Sequence, residues 1–530
     1  MKKNWQGVLY ALPIALLTLI PLGVVLASWM YPQPDIWAHL GEYVLPNVMK
    51  NTGILIFGVG AGVILLGVPL AWLVAMCEFP GRRFFGWSLI LPLAMPAYVL
   101  AFVLVGFLDF TGPVQTFIRE VTGDSSWFPR IRSTGGVILA MSLAFYPYVF
   151  LLMRNAFETQ GQRALEAAQM LGLSRHRSFW RVALPMSRPW LIGGVSLVLM
   201  ETLADFGAVS IFNFDTVTTT IYKAWFSMFN LAAASQLAST LVLFVLVLAL
   251  IEKKARGVRR YQVKAGNHQR IALSRLQSGI AFLFCSTVLL VAFLIPVAQL
   301  LFWCANAWAE DLDTRYFSFV WHSVLLAILA SVLVCGFGLA LGLIKRRYPN
   351  KRTRLLVQLA GLGYAIPGTV LAVGVFVPIA WLDNQWIAML ATFSVASSGI
   401  LKGSVAVMLL ALSARFLVVG FSPIDAALER ITPHHEDAAR SLGLNARAIL
   451  RRLHLPLASG GIMTGLLLVF VDVIKEMPIT LMTRPFGWDT LAVRVFEMTS
   501  EGMWSRAALP SLFIIAAGLL PVLLLARKQD

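Results

Sequence analysis

Four acidic residues lie inside otherwise apolar stretches, where their spacing could place charge within a membrane. Glu201 and Asp205 form one pair, and Asp472 and Glu476 form another, each separated by four positions. Residues four apart share one face of an α-helix, so an unbroken helix would direct both carboxylates the same way. Carboxylate oxygens suit hard cations, and a charge inside a bilayer is costly unless it faces a partner or a cavity. The pattern predicts either a substrate pathway or gate, or polar contacts between packed helices.

Nearby cations keep the second interpretation open. Lys475 follows Asp472 by three positions, within reach of an ion pair on a helix, and Arg415 lies in another apolar run where it could neutralise an acid. No hydrolase triad or metal-ligand spacing stands out, and the sequence contains no Gly-x-x-x-x-Gly-Lys-Ser/Thr phosphate loop. We therefore expect no enzyme activity, no metal and no other cofactor bound by this chain.

The elements that carry these charges are long and apolar. The chain has 530 residues, of which 58% are hydrophobic and 13% charged, a composition typical of a polytopic membrane protein. About 20 apolar residues span a bilayer as a helix. We therefore expect an all-α fold with twelve transmembrane helices, at 8–30, 52–77, 87–109, 135–153, 189–212, 232–251, 278–303, 323–344, 355–381, 403–421, 457–481 and 507–526.

The net charge of +17 follows a pattern along the chain. When the N-terminus is placed in the cytoplasm, the inner segments carry 31 of the 43 lysines and arginines and the outer segments carry 10. This bias predicts that both termini are cytoplasmic. It also places the basic residues against anionic membrane lipid, so the charge indicates no nucleic-acid partner.

One segment occurs twice, with a constant offset of 271 positions. A helix that carries an acid-Ala-Ala triplet can end at a glycine, which tolerates the left-handed conformation. Two residues later, Ser174 or Asn445 can cap a second helix. The sequence therefore predicts two helix-turn-helix loops, 158–185 and 429–456. The matched residues are Glu166, Ala167, Ala168 and Gly172 in the first loop and Asp437, Ala438, Ala439 and Gly443 in the second.

These loops resemble the EAA loop of permeases in binding-protein-dependent ABC importers. That pattern is Glu-Ala-Ala, three residues, Gly, nine residues and Ile-x-Leu-Pro; here Asp437 replaces Glu, and Val182 and Leu453 replace Ile. The resemblance implies a type I ABC importer permease fold in the bacterial inner membrane. It also implies two ATPase subunits, one docked on each loop and binding the ATP, and a periplasmic binding protein that delivers the substrate.

The repeat extends beyond the loops, since Pro96 and Pro367 are also 271 positions apart. Six spans separate matched points, so the two halves enter the membrane in the same direction, as parallel repeats. We expect a first permease half at 1–251, a basic cytoplasmic linker at 252–277 and a second half at 278–530.

The stretches around the acids narrow the resemblance. Residues 204–212 and 218–226 look like the first half of fused ferric-iron permeases, and residues 475–482 and 484–491 are similar to the second half. The implied function is import of ferric iron, with thiamine or a phosphonate as alternative substrates because permeases for these share the fused layout. A proton-coupled secondary transporter is a further alternative, although residues 78–83 lack its Asp-Arg-x-Gly-Arg pattern.

Overall fold

The computed structural model describes the chain except residues 1, 162–167, 169, 171–172, 257–269, 312–313, 394–399 and 528–530. Two strands of two residues, β1 Cys77–Glu78 and β2 Ile271–Ala272, pair in parallel. The helices are α1 Lys2–Ala27, α2 Pro34–His39, α3 Leu45–Met76, α4 Arg82–Ser88, α5 Ala97–Leu108, α6 Pro113–Thr122, α7 Thr134–Ala156, α8 Arg175–Ser178, α9 Leu184–Met186, α10 Arg188–Ala204, α11 Gly207–Ile211, α12 Val217–Phe226, α13 Leu231–Arg256, α14 Arg275–Leu289, α15 Ile295–Asp311, α16 Thr314–Arg347, α17 Lys351–Ala360, α18 Gly368–Thr392, α19 Val405–Glu429, α20 Pro433–Ser441, α21 Ala446–Ile449, α22 Leu455–Ile474, α23 Pro478–Thr483, α24 Leu491–Ser500 and α25 Ala508–Arg527.

The long helices confirm an all-α polytopic membrane fold. Within the described residues, ten helices are long and apolar enough to cross a membrane. An eleventh span is obtained if Phe179–Met186 and Arg188–Ala204, which are bent by 62° at their junction, are counted together. Near the C-terminus, Ala508–Leu523 forms a shorter apolar helix. Helices therefore occupy all twelve predicted positions, but they do not form twelve uniform spans.

Four of the predicted spans are interrupted, so the expectation of continuous helices at 87–109, 189–212, 355–381 and 457–481 was wrong. Prolines explain three of the interruptions, because a proline removes a backbone donor and disfavours helical geometry in the residue before it. Pro96 and Pro367 each precede the first residue of a helix, and Pro478 begins α23 after the break that ends α22. The fourth break, at Asp205, contains no proline.

Matched landmarks confirm that the two sequence halves repeat one architecture. π-Helical stretches occupy Phe179–Ala183 and Leu450–His454, which differ by the same offset of 271 that the sequence shows. A β-carbon on Gly67 would lie 3.1 Å from the backbone nitrogen of Phe150, and one on Gly338 would lie 3.1 Å from that of Phe421. Both pairs also obey the offset, so the same helices pack in the same register in each half.

The compact units of the structure mix the two sequence halves. One unit contains Met1–Trp37, Ile221–Val242 and Leu312–Arg494, and the other contains the rest of the chain. Within the first unit, α1 packs on α17 and α18, and Thr18 donates a hydrogen bond to the carbonyl of Ala360 at 3.0 Å. Within the second unit, α15 packs on α25. The division at residues 252–277 therefore stays a prediction about the sequence repeat.

A stripe of glycines on α3 brings this helix close to α7 within the second unit. β-Carbons on Gly58 and Gly62 would lie 2.4 Å from Ile138 and 2.1 Å from Ser142. Because overpacking a close contact costs about 1–3 kcal/mol, we expect Gly62→Ala to lower the thermal unfolding midpoint in detergent. Gly53→Ala is the matched control on the same helix, since no atom lies within 4 Å of its added carbon. Equal midpoints for both variants would contradict this packing.

Candidate functional site

The second loop folds as the predicted helix-turn-helix. The helix Pro433–Ser441 begins with a capping box between Thr432 and His435. It ends before Gly443, which has a φ of +79° and donates its backbone N–H to the carbonyl of Arg440. The Asn445 side chain then accepts a hydrogen bond from the Ala448 backbone at 2.9 Å and caps the next helix. The glycine and the asparagine thus have the local roles that their spacing predicted.

The acid-Ala-Ala triplet of this loop has one buried and two outward-facing members. The Asp437 side chain is 64% exposed and pairs with Arg440 of its own helix. Ala438 is also exposed, whereas Ala439 is buried. An exposed carboxylate beside a small exposed residue leaves the helix surface open to close approach by another protein.

The first loop matches the second where the structure describes it. Glu166, Ala167 and Gly172 lie outside the described residues. Ala168 is buried, like its counterpart Ala439. The backbone N–H of Leu173 donates to the carbonyl of Ala168 at 3.0 Å, as Leu444 donates to Ala439 at 3.1 Å in the second loop. The same backbone hydrogen bond therefore recurs at matched positions of the two loops.

A polar cluster fastens the second loop to its own helices. Glu436 accepts a hydrogen bond from Arg346 at the end of α16, and its Oε1 lies 3.0 Å from Nε2 of His454. Arg346 also donates to the carbonyl of Leu428 at 2.8 Å. Burial acts to raise the pKa of Glu436, but the hydrogen bonds and charges of Arg346 and His454 outweigh it, so the pKa lies below its ordinary value. We did not predict this cluster, because the repeat highlights Asp437 and not its neighbour.

An aromatic cluster fastens the first loop at the equivalent place. Phe179 of the π-helical stretch packs edge-on against Trp72 of α3, with ring centroids 4.6 Å apart. Phe157 meets the same tryptophan with centroids 5.2 Å apart. Beside them, Arg154 forms an ion pair with Glu158 at 2.9 Å. Trp72 is thus a packing residue.

The first acidic pair lies at a break in its helix. Asp205 follows the end of α10 with extended backbone geometry. Its Oδ1 accepts hydrogen bonds from the backbone N–H groups of Ala208 at 3.0 Å and Val209 at 3.2 Å. Thr218 then donates to the carbonyl of Asp205 at 2.6 Å. Aspartate competes for backbone donors in this way at helix starts, so Asp205 caps α11 instead of sharing a continuous helix face with Glu201.

The second half repeats this break at the matched residue. Glu476 is buried and accepts hydrogen bonds from the backbone N–H of Ile479 at 3.0 Å and of Thr480 at 3.3 Å. The hydroxyl of Thr480 donates to the carbonyl of Glu476 at 3.0 Å. Glu476 lies beyond the end of α22, so the predicted shared face with Asp472 is also absent here. In both halves, the second acid of the pair holds a broken span together.

The remaining two acids differ in their surroundings. Asp472 forms an ion pair with Lys475 at 2.7 Å, as the spacing allowed. Glu201 forms no hydrogen bond or ion pair with the part of the chain that the structure describes. The position matched to Lys475 is Ala204, so the first half lacks the neutralising cation.

Arg415 adds to this difference between the halves. A β-carbon on Gly368 would lie 2.5 Å from Nη1 of Arg415 and 2.8 Å from Oε1 of Glu476, so the guanidinium and the carboxylate flank the same glycine. Alanine occupies the position matched to Arg415 in the first half, at residue 144. At the matched positions, the first half therefore lacks the two cations that lie near the broken span of the second half.

The acids do not assemble a protein-only metal cage in the described part of the chain, where no three His, Cys, Asp or Glu side chains group together. Three or more protein ligands are usual where a metal is held permanently.

Comparison with known proteins supplies the family. The family described as "Binding-protein-dependent transport system inner membrane component" matches residues 64–252 and again residues 334–529. The chain is 26% identical over 490 residues to the Fe(3+)-transport system permease protein FbpB 2 of Haemophilus influenzae, covering 91% of this chain and 90% of that one. It is 24% identical to the ferric transport system permease protein FbpB of Actinobacillus pleuropneumoniae, covering 82% and 64% of the two chains. It is 30% identical to the molybdenum transport system permease protein ModB of H. influenzae, covering 35% and 80%.

Proposed function

The chain belongs to the family of inner-membrane components of binding-protein-dependent transport systems, and from this premise we propose that it is the permease of an ATP-driven importer of ferric iron. The observation that supports ferric iron as the substrate is the share of this chain over which each relative is similar to it. Similarity to a ferric permease extends over 91% of this chain, whereas similarity to a molybdenum permease covers 35%. The ferric relative therefore matches nearly the whole fused chain, and the molybdenum relative matches about a third of it.

In this proposal a periplasmic binding protein delivers the iron, and two ATPase subunits act from the cytoplasm. Each subunit docks on one loop, at 158–185 or 429–456, with the chain termini on the same side of the inner membrane. The exposed Asp437 and Ala438 support this assignment for the second loop. ATP belongs to the partner subunits, because the sequence offers no phosphate-binding loop.

In the transport cycle, movement of the loops must be transmitted to the membrane-spanning helices. ATP binding would close the ATPase subunits and draw the loops together, and hydrolysis would release them. Each loop is fastened to long helices, the first through Trp72 and the second through Glu436. Rigid joints of this kind convert a displacement at the surface into rocking of packed helices, which is a common form of switching.

We assign the contact with the passing cation to Glu201. Asp205 and Glu476 are engaged by backbone donors, and Asp472 is paired with a lysine. A charge within a span costs about 2.5–3.5 kcal/mol or more, and Glu201 has no partner in the described chain to offset that cost. A transient cation would supply the missing charge.

We expect Glu201→Gln to reduce uptake about tenfold at saturating loaded binding protein, which corresponds to about 1.4 kcal/mol in the barrier. ATPase stimulation should persist, because the substitution leaves both loops intact. The matched control is the double variant Asp472→Asn/Lys475→Gln, which removes an acid and its cation together and should change uptake less than twofold. Normal uptake by Glu201→Gln would show that the Glu201 carboxylate does not contact the passing cation.

The transporter class is tested by its energy source. Iron uptake by cells that express the full system should collapse when ATP is depleted and should survive an uncoupler while ATP is maintained. The reverse result would favour a proton-coupled secondary transporter. ATP-driven uptake of thiamine or a phosphonate in place of iron would keep the importer class and change the substrate.

A further inference from the structure

Both loops join the spans at one structural landmark, the π-helical stretch that precedes the fifth or the eleventh predicted span. In the first half this stretch is Phe179–Ala183, and its first residue packs on Trp72. In the second half it is Leu450–His454, and its last residue contacts Glu436. The landmark is shared, but the chemistry that fixes it differs.

The second joint is ionic and connects three separate elements. Glu436 lies on α20, Arg346 on α16 and His454 in the π-helical stretch, and all three side chains are mostly buried. The other oxygen of Glu436, Oε2, lies 3.0 Å from Nη2 of Arg440 on its own helix. One carboxylate therefore holds the loop helix, the end of a long span and the start of the next together.

The first half contains none of these three side chains. The residues matched to Arg346, Glu436 and His454 are Ala75, Leu165 and Ala183. Conversely, the second half has leucine at the positions matched to its aromatic cluster, at residues 343, 428 and 450. At the matched positions, neither half carries the side chains that form the joint of the other half, so each loop depends on its own set of contacts.

We propose that Glu436 is a positioning residue that fastens the second loop through an ionic joint. The contacts of Trp72 that fasten the first loop are aromatic. This inference rests on the proposed role of the loops in coupling to an ATPase. Removal of Glu436 releases the second loop from α16 and leaves the first loop unaffected. The two ATPase subunits are therefore coupled to this permease through joints of unequal chemistry.

A cavity lies beside the ionic joint and is bordered by one of its members, Arg346. The cavity has a volume of about 480 Å³ and is lined by Arg346 together with Lys345, Asp425 and Glu429, which pair with one another. Arg354 also lines it. The charged groups that face Glu436 are Arg346, His454 and Arg440.

The joint should weaken at low pH. The pKa of Glu436 is lower in the folded protein than its ordinary value of about 4.3. A carboxyl with a depressed folded-state pKa contributes its full stabilisation above the ordinary value and loses it as the pH falls through the folded-state value. Acid should therefore loosen the contacts of Glu436 in the second loop, whereas the aromatic contacts of Trp72 in the first loop do not titrate.

The test is amide hydrogen exchange of the purified full chain, which needs neither ATP nor substrate. We expect Glu436→Leu to accelerate exchange in residues 433–443 at least tenfold and to leave residues 173–183 of the first loop unchanged. The triple variant Arg346→Met/Glu436→Leu/His454→Leu should recover most of the protection, because apolar residues can replace a buried ionic cluster once no charge is left unpaired. Arg354→Gln, which removes a cation from the same cavity, should match the parent chain.

Two outcomes would overturn the proposal. Unchanged exchange in residues 433–443 of Glu436→Leu would show that Glu436 does not fasten the loop. Equal acceleration in both loops, with no recovery in the triple variant, would show general destabilisation. Because exchange is read without an ATPase, failure of this inference is distinguishable from failure of the proposed transport function.

Discussion

Replacing Gly443 with proline is expected to abolish ATP-driven uptake while the protein still inserts in the membrane. Gly443 has a φ of +79°, and proline is fixed near −65°. Proline also lacks the N–H that this residue donates to the carbonyl of Arg440 at 2.9 Å. The helix that carries Asp437 would lose its closure, and the following helix would start in another direction. Uptake in proteoliposomes and the amount of protein in the membrane fraction measure the two effects separately.

The control for this experiment is Gly443→Asn. Asparagine adopts the left-handed conformation more readily than other side chains, and no atom lies within 4 Å of an added β-carbon at this position. We therefore expect nearly normal uptake from the asparagine variant. The repeat predicts the same loss for Gly172→Pro in the first loop. Normal uptake by both proline variants would refute the coupling role of the loops.

Removing the carboxylate at the second break should have the largest effect on folding. Glu476→Ala leaves the buried N–H groups of Ile479 and Thr480 without their acceptor, and each unsatisfied group costs about 1–3 kcal/mol. It also leaves Arg415 without its neighbouring carboxylate. We expect a lower thermal unfolding midpoint, a reduced yield of folded protein and loss of uptake.

Two variants separate this structural role from a role in the pathway. Glu476→Gln keeps one acceptor oxygen and should lose less stability than Glu476→Ala. Glu201→Gln should keep the parent unfolding midpoint, because Glu201 has no bond in the described chain that the change would break, yet it should still lower uptake. If Glu476→Ala unfolds at the parent temperature, the cap does not stabilise the break.

Local signals in the sequence were sufficient to predict the second loop and the repeat. Gly443 and Asn445 act within a few residues of their own position, so their spacing determines the turn that they form. The pairs Gly67 with Gly338 and Pro96 with Pro367 are matched in sequence and in structure because both halves use the same helix contacts and breaks. The apolar runs likewise predicted where helices lie.

The breaks within the spans were not predicted, because overall apolarity does not report whether a helix is continuous. Asp205 looks like a helical residue in an apolar run, and its capping of Ala208 and Val209 depends on a backbone conformation that spacing alone does not specify. Proline at residue 478 was a usable signal for the second break. The four-residue spacing of the acids instead favoured an unbroken helix.

The joints and the compact units depend on contacts between distant residues. Arg346 and Glu436 are 90 positions apart, and nothing local marks them as partners. Comparison of the two halves does not reveal this pair either, because the matched positions of the first half hold alanine and leucine. In the same way, nothing in the sequence of α1 identifies the helices of the second half against which its apolar residues pack.

We propose above that this chain couples an ATPase to delivery of ferric iron by a binding protein. The most direct measurement is ATPase activity in proteoliposomes that contain the chain and its ATPase subunit, titrated with iron-loaded or empty binding protein. We predict that the iron-loaded binding protein strongly stimulates the ATPase activity and that the empty binding protein stimulates it little. Stimulation that does not depend on iron would contradict the substrate, and the absence of any ATPase association would contradict the importer itself.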